Sequence, residues 1–246
     1  MARPLRVEFE GALYHVTARG NERKREALRG DWQLLNCKSS QSLRRDMPRA
    51  ARGLADQQVY HVLNRGNGRA EVFHKPADFA AFVKLIGEAK ERFPVKVIAY
   101  CLMSNHFHLL AKPTEGEDLS KWMQWLMTTH VRRYHRHYGT SGHVWQGRFK
   151  SFIVKQDDHL LTAIRYVEGN PMRAGMVSSA REWSWSSHRE NLGEPEGGIT
   201  DIGLIDLPAD WSDYVDKPIT GQELSRLNLS IHRQVPFGAK DEGTGS

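Results

Sequence analysis

Two histidines separated by one bulky apolar residue, His106-Phe107-His108, stand in an apolar run that continues through Leu109 and Leu110. On a β-strand, residues two apart project from the same face, so both imidazoles would look to one side while Phe107 and Leu109 enter the core. That arrangement offers two ligands to a divalent ion and needs a third from elsewhere in the fold. The same pattern also fits two histidines on the solvated face of a half-buried strand, and a chain with 12 histidines makes a chance pair less surprising. A tyrosine hydroxyl, with an ordinary pKa of about 10, is a poor nucleophile at neutral pH unless a cation or base lies beside it. Tyr134, Tyr138 and Tyr166 fall on candidate helices and could each occupy that place.

The elements that would position these groups alternate between strand and helix periods. Residues 59–64 read as a strand that ends at Arg65-Gly66-Asn67-Gly68, where the glycines allow a positive-φ turn. Residues 78–92 carry Phe79, Phe82, Val83, Leu85, Ile86 and Ala89 at helical spacing, and Pro94 stops them. Two apolar runs, 95–103 and 107–111, joined by Ser104-Asn105, predict an antiparallel pair. A helix over 119–138 stops at Gly139, a strand covers 144–154, and Asp157-Asp158 cap a helix from His159 to about Gly169. The expected architecture is α+β, an antiparallel sheet covered on one face by helices. Trp183 and Trp185 are expected to pack the following segment against the domain, and beyond them the Gly-, Asp- and Pro-rich sequence predicts irregular structure.

A chain of 246 residues with 39% hydrophobic content can bury a substantial core. Its 35 Lys and Arg against 29 acids give a net charge of +6, a balance that favours a polyanionic partner. Two cysteines, Cys37 and Cys101, suggest neither a disulfide framework nor a cysteine zinc site, and with no long apolar run and a charged N-terminus the expected location is the cytoplasm. Tyr14–Arg23 reappears at Tyr60–Arg69 with seven of ten positions identical. It occurs once, which excludes a repeat array. Residues 1–46 therefore read as a partial duplicated or fused segment, residues 47–195 as the working domain, and residues 196–246 as an irregular tail.

Four ordered blocks of the working domain resemble the REP-associated tyrosine transposases, bacterial relatives of single-tyrosine insertion-sequence transposases. They are Tyr60-His61-Val62 with Arg65-Gly66-Asn67, then Met103 to Leu110, then Gly142 to Lys150, then Tyr166 with Asn170-Pro171-Met172-Arg173-Ala174-Gly175. The resemblance spans about Met47 to Leu192. It implies a ferredoxin-like, RRM-like core of the HUH type, with Tyr166 as nucleophile and His106, His108 and Asn170 holding Mg2+ or Mn2+. It further implies nicking and joining of single-stranded or hairpin DNA through a 5′ phosphotyrosine in the bacterial cytoplasm, on the nucleoid. Better-studied insertion-sequence relatives carry Gln where Asn170 stands. Family members occur as monomers and as dimers with shared active sites, and monomer is the working assumption.

Candidate DNA contacts are Arg65, Asn67 and Arg69 on the glycine turn, Arg132, Arg133 and Arg136 on the second helix, and Arg148, Lys150 and Arg173. The α-helical arginines also fit a solvated face. Trp145 could stack on an unpaired base or fill the core. Two other functions fit the same residues: a catalytically silent protein binding structured DNA or RNA, and a metal hydrolase of unrelated substrate.

Overall fold

The computed structural model describes residues 54–155, 158–194, 198–201, 203–233 and 237. The repeat copy at Tyr14–Arg23, the domain start near Met47 and the Asp157 part of the cap expected for the third helix lie outside the described residues. The core of the chain runs β1 (Val59–Arg65), α1 (Pro76–Lys90), β2 (Val95–Met103), β3 (His106–Pro113), α2 (Gly116–Tyr138), β4 (Lys150–Val154) and α3 (Asp158–Glu168). The strands form one antiparallel sheet in the order β2-β3-β1-β4. With two helices between them, this βαββαβ order is that of a ferredoxin-like sheet, as expected.

Strand alternation sorts side chains to the two faces. Tyr60, Val62, Phe107, Leu109 and Ala111 join Phe82, Leu85, Ile86, Trp122 and Leu126 of α1 and α2 in one cluster. Val59, Leu110, Phe152 and Val154 join Leu160, Ala163, Ile164 and Val167 of α3 in the other. The four α3 residues fall at i, i+3, i+4 and i+7, one stripe of a helix. In β2 the register shifts between Val97 and Ala99, so Val97 and Tyr100 both face the α1/α2 side although they are an odd number of residues apart. The sheet is covered on both faces, not on one, because α3 and the segment after it bury the second.

The C-terminal segment departs most from expectation. Short helices α4 (Asn170–Arg173), α5 (His188–Asn191), α6 (Trp211–Asp216) and the longer α7 (Gly221–Arg233) occupy it, with Trp211 and Leu227 fully buried. Helices of one turn are too short to show a period in sequence. The start of α7 had a local signal: Thr220 and Glu223 exchange side-chain and backbone hydrogen bonds as a capping box. Phe237 pairs with the free edge of β4, donating its N–H to the Ile153 carbonyl at 2.8 Å. Trp185 stacks on Phe79 with ring centres 5.2 Å apart, and the Trp183 indole N–H donates to the Leu102 carbonyl, as their spacing predicted. The strand expected over 144–154 is confined to Lys150–Val154; residues 144–147 instead fold over the β1 turn through a bridge of Trp145 with Gly66.

Candidate active site

His106 and His108 lie on β3 opposite Arg65 and Leu63 of β1, and both face the α3 side of the sheet. His106 is partly buried and His108 buried. Their ring centres are 5.1 Å apart, and the Tyr166 ring of α3 stands edge-on to His108 at 5.8 Å. His61, one register step away on β1, completes the group with its ring 5.0 Å from His108 and 6.0 Å from Tyr166.

The hydrogen bonds around His106 fix its tautomer. Asn105 donates its Nδ2–H to the Arg69 carbonyl, which turns Oδ1 toward His106, and His106 Nδ1 lies 2.6 Å from that oxygen. An amide oxygen only accepts, so Nδ1 carries the proton and Nε2 keeps its lone pair. His108 Nδ1 is engaged by His61 Nε2 at 2.8 Å. Desolvation lowers the pKa of His106 to about 4, helped by the Arg65 charge, and drives that of His108 well below its ordinary value. Two neutral imidazoles with Nδ1 engaged and no Nε2 partner among the described residues are the donor set a divalent cation takes. Among the described residues no group of three His, Cys, Asp or Glu side chains could hold a metal ion.

Asn170 opens α4 just past Gly169, where α3 ends. Its side chain makes no hydrogen bond among the described residues, and its backbone carbonyl accepts from Ala174 at 3.0 Å. Tyr166 and Asn170 thus sit on either side of a helix break and not on one continuous helical face. Arg173 spans the break. Its guanidinium lies 4.3 Å above the Tyr166 ring and donates to the Tyr166 carbonyl. Burial raises the Tyr166 pKa, and the charges of Arg173 and Arg65 pull against it.

The other expected contacts divide. Arg65, Asn67, Arg69, Arg148 and Lys150 are exposed, and hydrogen bonds gather most of them at one end of the sheet. Gln146 N–H donates to the Arg65 carbonyl at 2.9 Å, Asn67 N–H to the Val144 carbonyl at 2.8 Å, and Asn64 Nδ2 to the Gly147 carbonyl at 3.0 Å. In that turn Gly68 has φ of 63°, whereas Gly66 is needed for space: a Cβ there would lie 2.2 Å from the Ala70 carbonyl oxygen. Arg132, Arg133 and Arg136 ride on α2, which packs on the sheet face opposite the histidines; Arg133 pairs with Glu88 at 3.2 Å, and Arg132 lines a hollow with His143 and Trp145. Trp145 does not offer a stacking face. It is 5% exposed and packed among Phe73, Phe82, Phe107 and His130, because the bridge to Gly66 folds its ring inward.

Residues 55–170 match the family described as Transposase IS200 like. Over those residues the chain is similar to that family of enzymes. It is 27% identical over 143 residues to a Haemophilus influenzae protein provisionally named a REP-associated tyrosine transposase, covering 53% of this chain and 74% of the relative. It is 21% identical over 167 residues to the REP-associated tyrosine transposase of Escherichia coli, covering 67% and 90%. A solved REP-associated tyrosine transposase bound to a REP hairpin has the same fold, with a TM-score of 0.50 and 17% identity over 66% of this chain and 99% of that one. Transposases of this family process DNA, consistent with the chain's basic charge. Among the described residues no helix is long and apolar enough to cross a membrane.

Two residues around the candidate site were not singled out from sequence as actors. His61 was visible as the middle of the duplicated Tyr-His-Val block, but on β1 a lone histidine reads as core. Glu168, two residues after Tyr166, is fully buried and accepts hydrogen bonds from Ser187, His188, Asn191 and Trp211. Its partners lie beyond the helix in sequence, so no local pattern marks it.

Proposed function

We propose that the chain nicks and rejoins single-stranded DNA at hairpin-forming repeats, with Tyr166 as nucleophile and His106, His108 and Asn170 as ligands of Mg2+ or Mn2+. The observation that carries this reading is the pair of neutral histidines, with no Nε2 partner among the described residues, whose neighbour across the gap is a tyrosine. When bound, the cation would polarise the scissile phosphate and neutralise charge developing on it.

The chain's own residues supply the remaining parts. Arg65 and Arg173 bring positive charge to Tyr166, where a phosphodiester would enter. The Tyr166 Oη attacks phosphorus and the bond to the 3′ oxygen breaks. The phenol proton is given up, the 3′ oxygen takes one to become a hydroxyl, and the 5′ phosphate stays on Tyr166. Reversal with a different 3′ hydroxyl joins strands without an external energy source. Exposed Arg69, Arg148 and Lys150 at the same end of the sheet would hold flanking phosphates. Hairpin DNA is favoured because the solved relative carries a REP hairpin.

Incubation of the full chain with labelled hairpin DNA and Mg2+ or Mn2+, followed by denaturing electrophoresis, tests the reading. The expected result is a labelled protein band that disappears in Tyr166→Phe while native-gel binding persists. DNA that is shifted in native gels and never cut would overturn it in favour of a binding protein, and cleavage undiminished in Tyr166→Phe would do so in favour of a metal hydrolase.

A further inference from the structure

His61 is a buried polar residue whose placement the proposed chemistry does not use. It is 0% exposed, on an apolar strand between Tyr60 and Val62, and Phe152 packs on its ring at 4.8 Å. Its Nε2 shares a hydrogen bond with His108 Nδ1 at 2.8 Å, and its Nδ1 is buried with no partner among the described residues. A phenyl ring would fill the same space without a stranded nitrogen of its own, so packing alone gives no reason for an imidazole here.

We propose that His61 is a positioning residue that readies His108 to bind a divalent cation, doing for His108 what Asn105 does for His106. This inference rests on the metal reading of the site given above. An imidazole in ordinary surroundings prefers its proton on Nε2, and that proton would occupy the lone pair His108 needs for the ion. A hydrogen bond accepted by His61 Nε2 from His108 Nδ1–H moves the proton to the far side of the ring and fixes the ring plane. The two rings are neutral and share two protons, and the accounting allows two arrangements. In one, His108 donates from Nδ1 and His61 carries its own proton on the unpartnered Nδ1. In the other, His61 donates from Nε2 and His108 is protonated on Nε2. A cation on His108 Nε2 is compatible only with the first. Stranding the His61 N–H is the cost of that arrangement, and it explains why an otherwise unfavourable nitrogen sits in an apolar wall.

The inference separates stability from ligation. His61→Phe removes the acceptor and its own stranded nitrogen but leaves His108 Nδ1 without that partner, so one stranded nitrogen replaces another; it is expected to melt near the wild-type temperature while its Mn2+ affinity falls by about 10- to 100-fold. His61→Gln can accept through Oε1 and is expected to recover part of the loss. Mn2+ binding is read from the free-ion electron paramagnetic resonance signal of the full chain without DNA, and the His108 tautomer from long-range proton–nitrogen NMR spectra with saturating Mg2+. If wild type binds no more Mn2+ than a His106→Ala/His108→Ala double variant, the metal reading itself fails. If wild type binds through those histidines but His61→Phe binds equally well, the metal reading stands and the role of His61 is overturned. Reduced Mn2+ affinity accompanied by a large drop in melting temperature for both His61 variants would overturn it too, since His61 would then be structural.

Discussion

Replacing Glu168 by alanine should cost the chain a large part of its stability, and the cost can be worked from the four bonds the carboxyl accepts. Ser187 Oγ and Asn191 Nδ2 donate to Oε1 at 2.7 and 2.6 Å, and His188 Nδ1 and Trp211 Nε1 donate to Oε2 at 2.8 and 2.9 Å. Two of these donors have an alternative: the serine hydroxyl can rotate, and Asn191 Nδ2 also reaches the Ile98 carbonyl at 3.3 Å. The Nδ1–H of His188 and the Nε1–H of Trp211 have none among the described residues, and those residues are 0% and 1% exposed. Stranding a buried donor costs about 1–3 kcal/mol, so two of them plus the cavity of the lost side chain give about 3–7 kcal/mol. Against a typical domain stability of about 5–15 kcal/mol this is close to unfolding, and it corresponds to a large fall in melting temperature. Glu168→Gln keeps the shape and one acceptor oxygen, so it should fall between wild type and alanine. The assay is urea unfolding followed by tryptophan fluorescence, which Trp211 itself reports. An alanine variant within about 0.5 kcal/mol of wild type, the range of an ordinary surface change, would refute the claim that this carboxyl ties α3 to α5 and α6.

Two further outcomes follow from the titrating groups. Arg173→Gln removes a charge that opposes the burial-driven rise of the Tyr166 pKa, so that pKa should climb further. The rising limb of the pH–nicking-rate profile should then move to higher pH, with a loss of rate at fixed pH on that limb; an unmoved profile would remove Arg173 from the electrostatics of the nucleophile. Burial lowers the folded pKa of His61 to about 3 and those of His106 and His130 to about 4, against 6.5 for an unperturbed group. Below pH 6.5 the unfolded chain takes up protons that the folded one refuses, so stability falls with pH by about 1.4 kcal/mol per unit per histidine until each folded value is reached. Urea midpoints measured from pH 8 to pH 5 should drop steeply below 6.5, and His130→Phe, which touches neither β3 histidine, should flatten the drop by about one proton. A flat profile would show that these rings are not held neutral in the fold.

Those measurements bear on different layers of the molecule, and the layers were unequally visible in the sequence. The sheet and α1 to α3 could be read because their burial repeats: Phe79, Phe82, Leu85, Ile86 and Ala89 on α1, and Leu160, Ala163, Ile164 and Val167 on α3, are long enough stripes to declare a period. The pairing of His106 with His108 was visible for the same reason, since alternation on a strand fixes direction without knowledge of the partner. Tyr166 required the family blocks, because nothing in the spacing of Tyr134, Tyr138 and Tyr166 says which helix packs on the histidine face. Direction was left open for Trp145, whose inward turn is set by a bridge to Gly66 some 80 residues earlier in the chain.

What stayed hidden is a set of polar contacts made at long range. His61 meets His108 across 47 positions, and Glu168 meets Trp211 across 43. A buried polar residue satisfied by distant partners leaves the same trace in sequence as an error in an apolar pattern, and only the three-dimensional neighbours distinguish the two. Both such residues flank the proposed chemistry. His61 lies behind a candidate ligand, and Glu168 anchors the helix that carries the candidate nucleophile to the C-terminal segment. The site is therefore assembled between two layers that fold from different kinds of information: a strand pair whose register follows from periodicity, and a helix held against it by a polar network with no periodicity at all. Loss of the network should move Tyr166 while leaving His106 and His108 in place, so cation binding and covalent attachment to DNA should separate in Glu168 variants that remain folded.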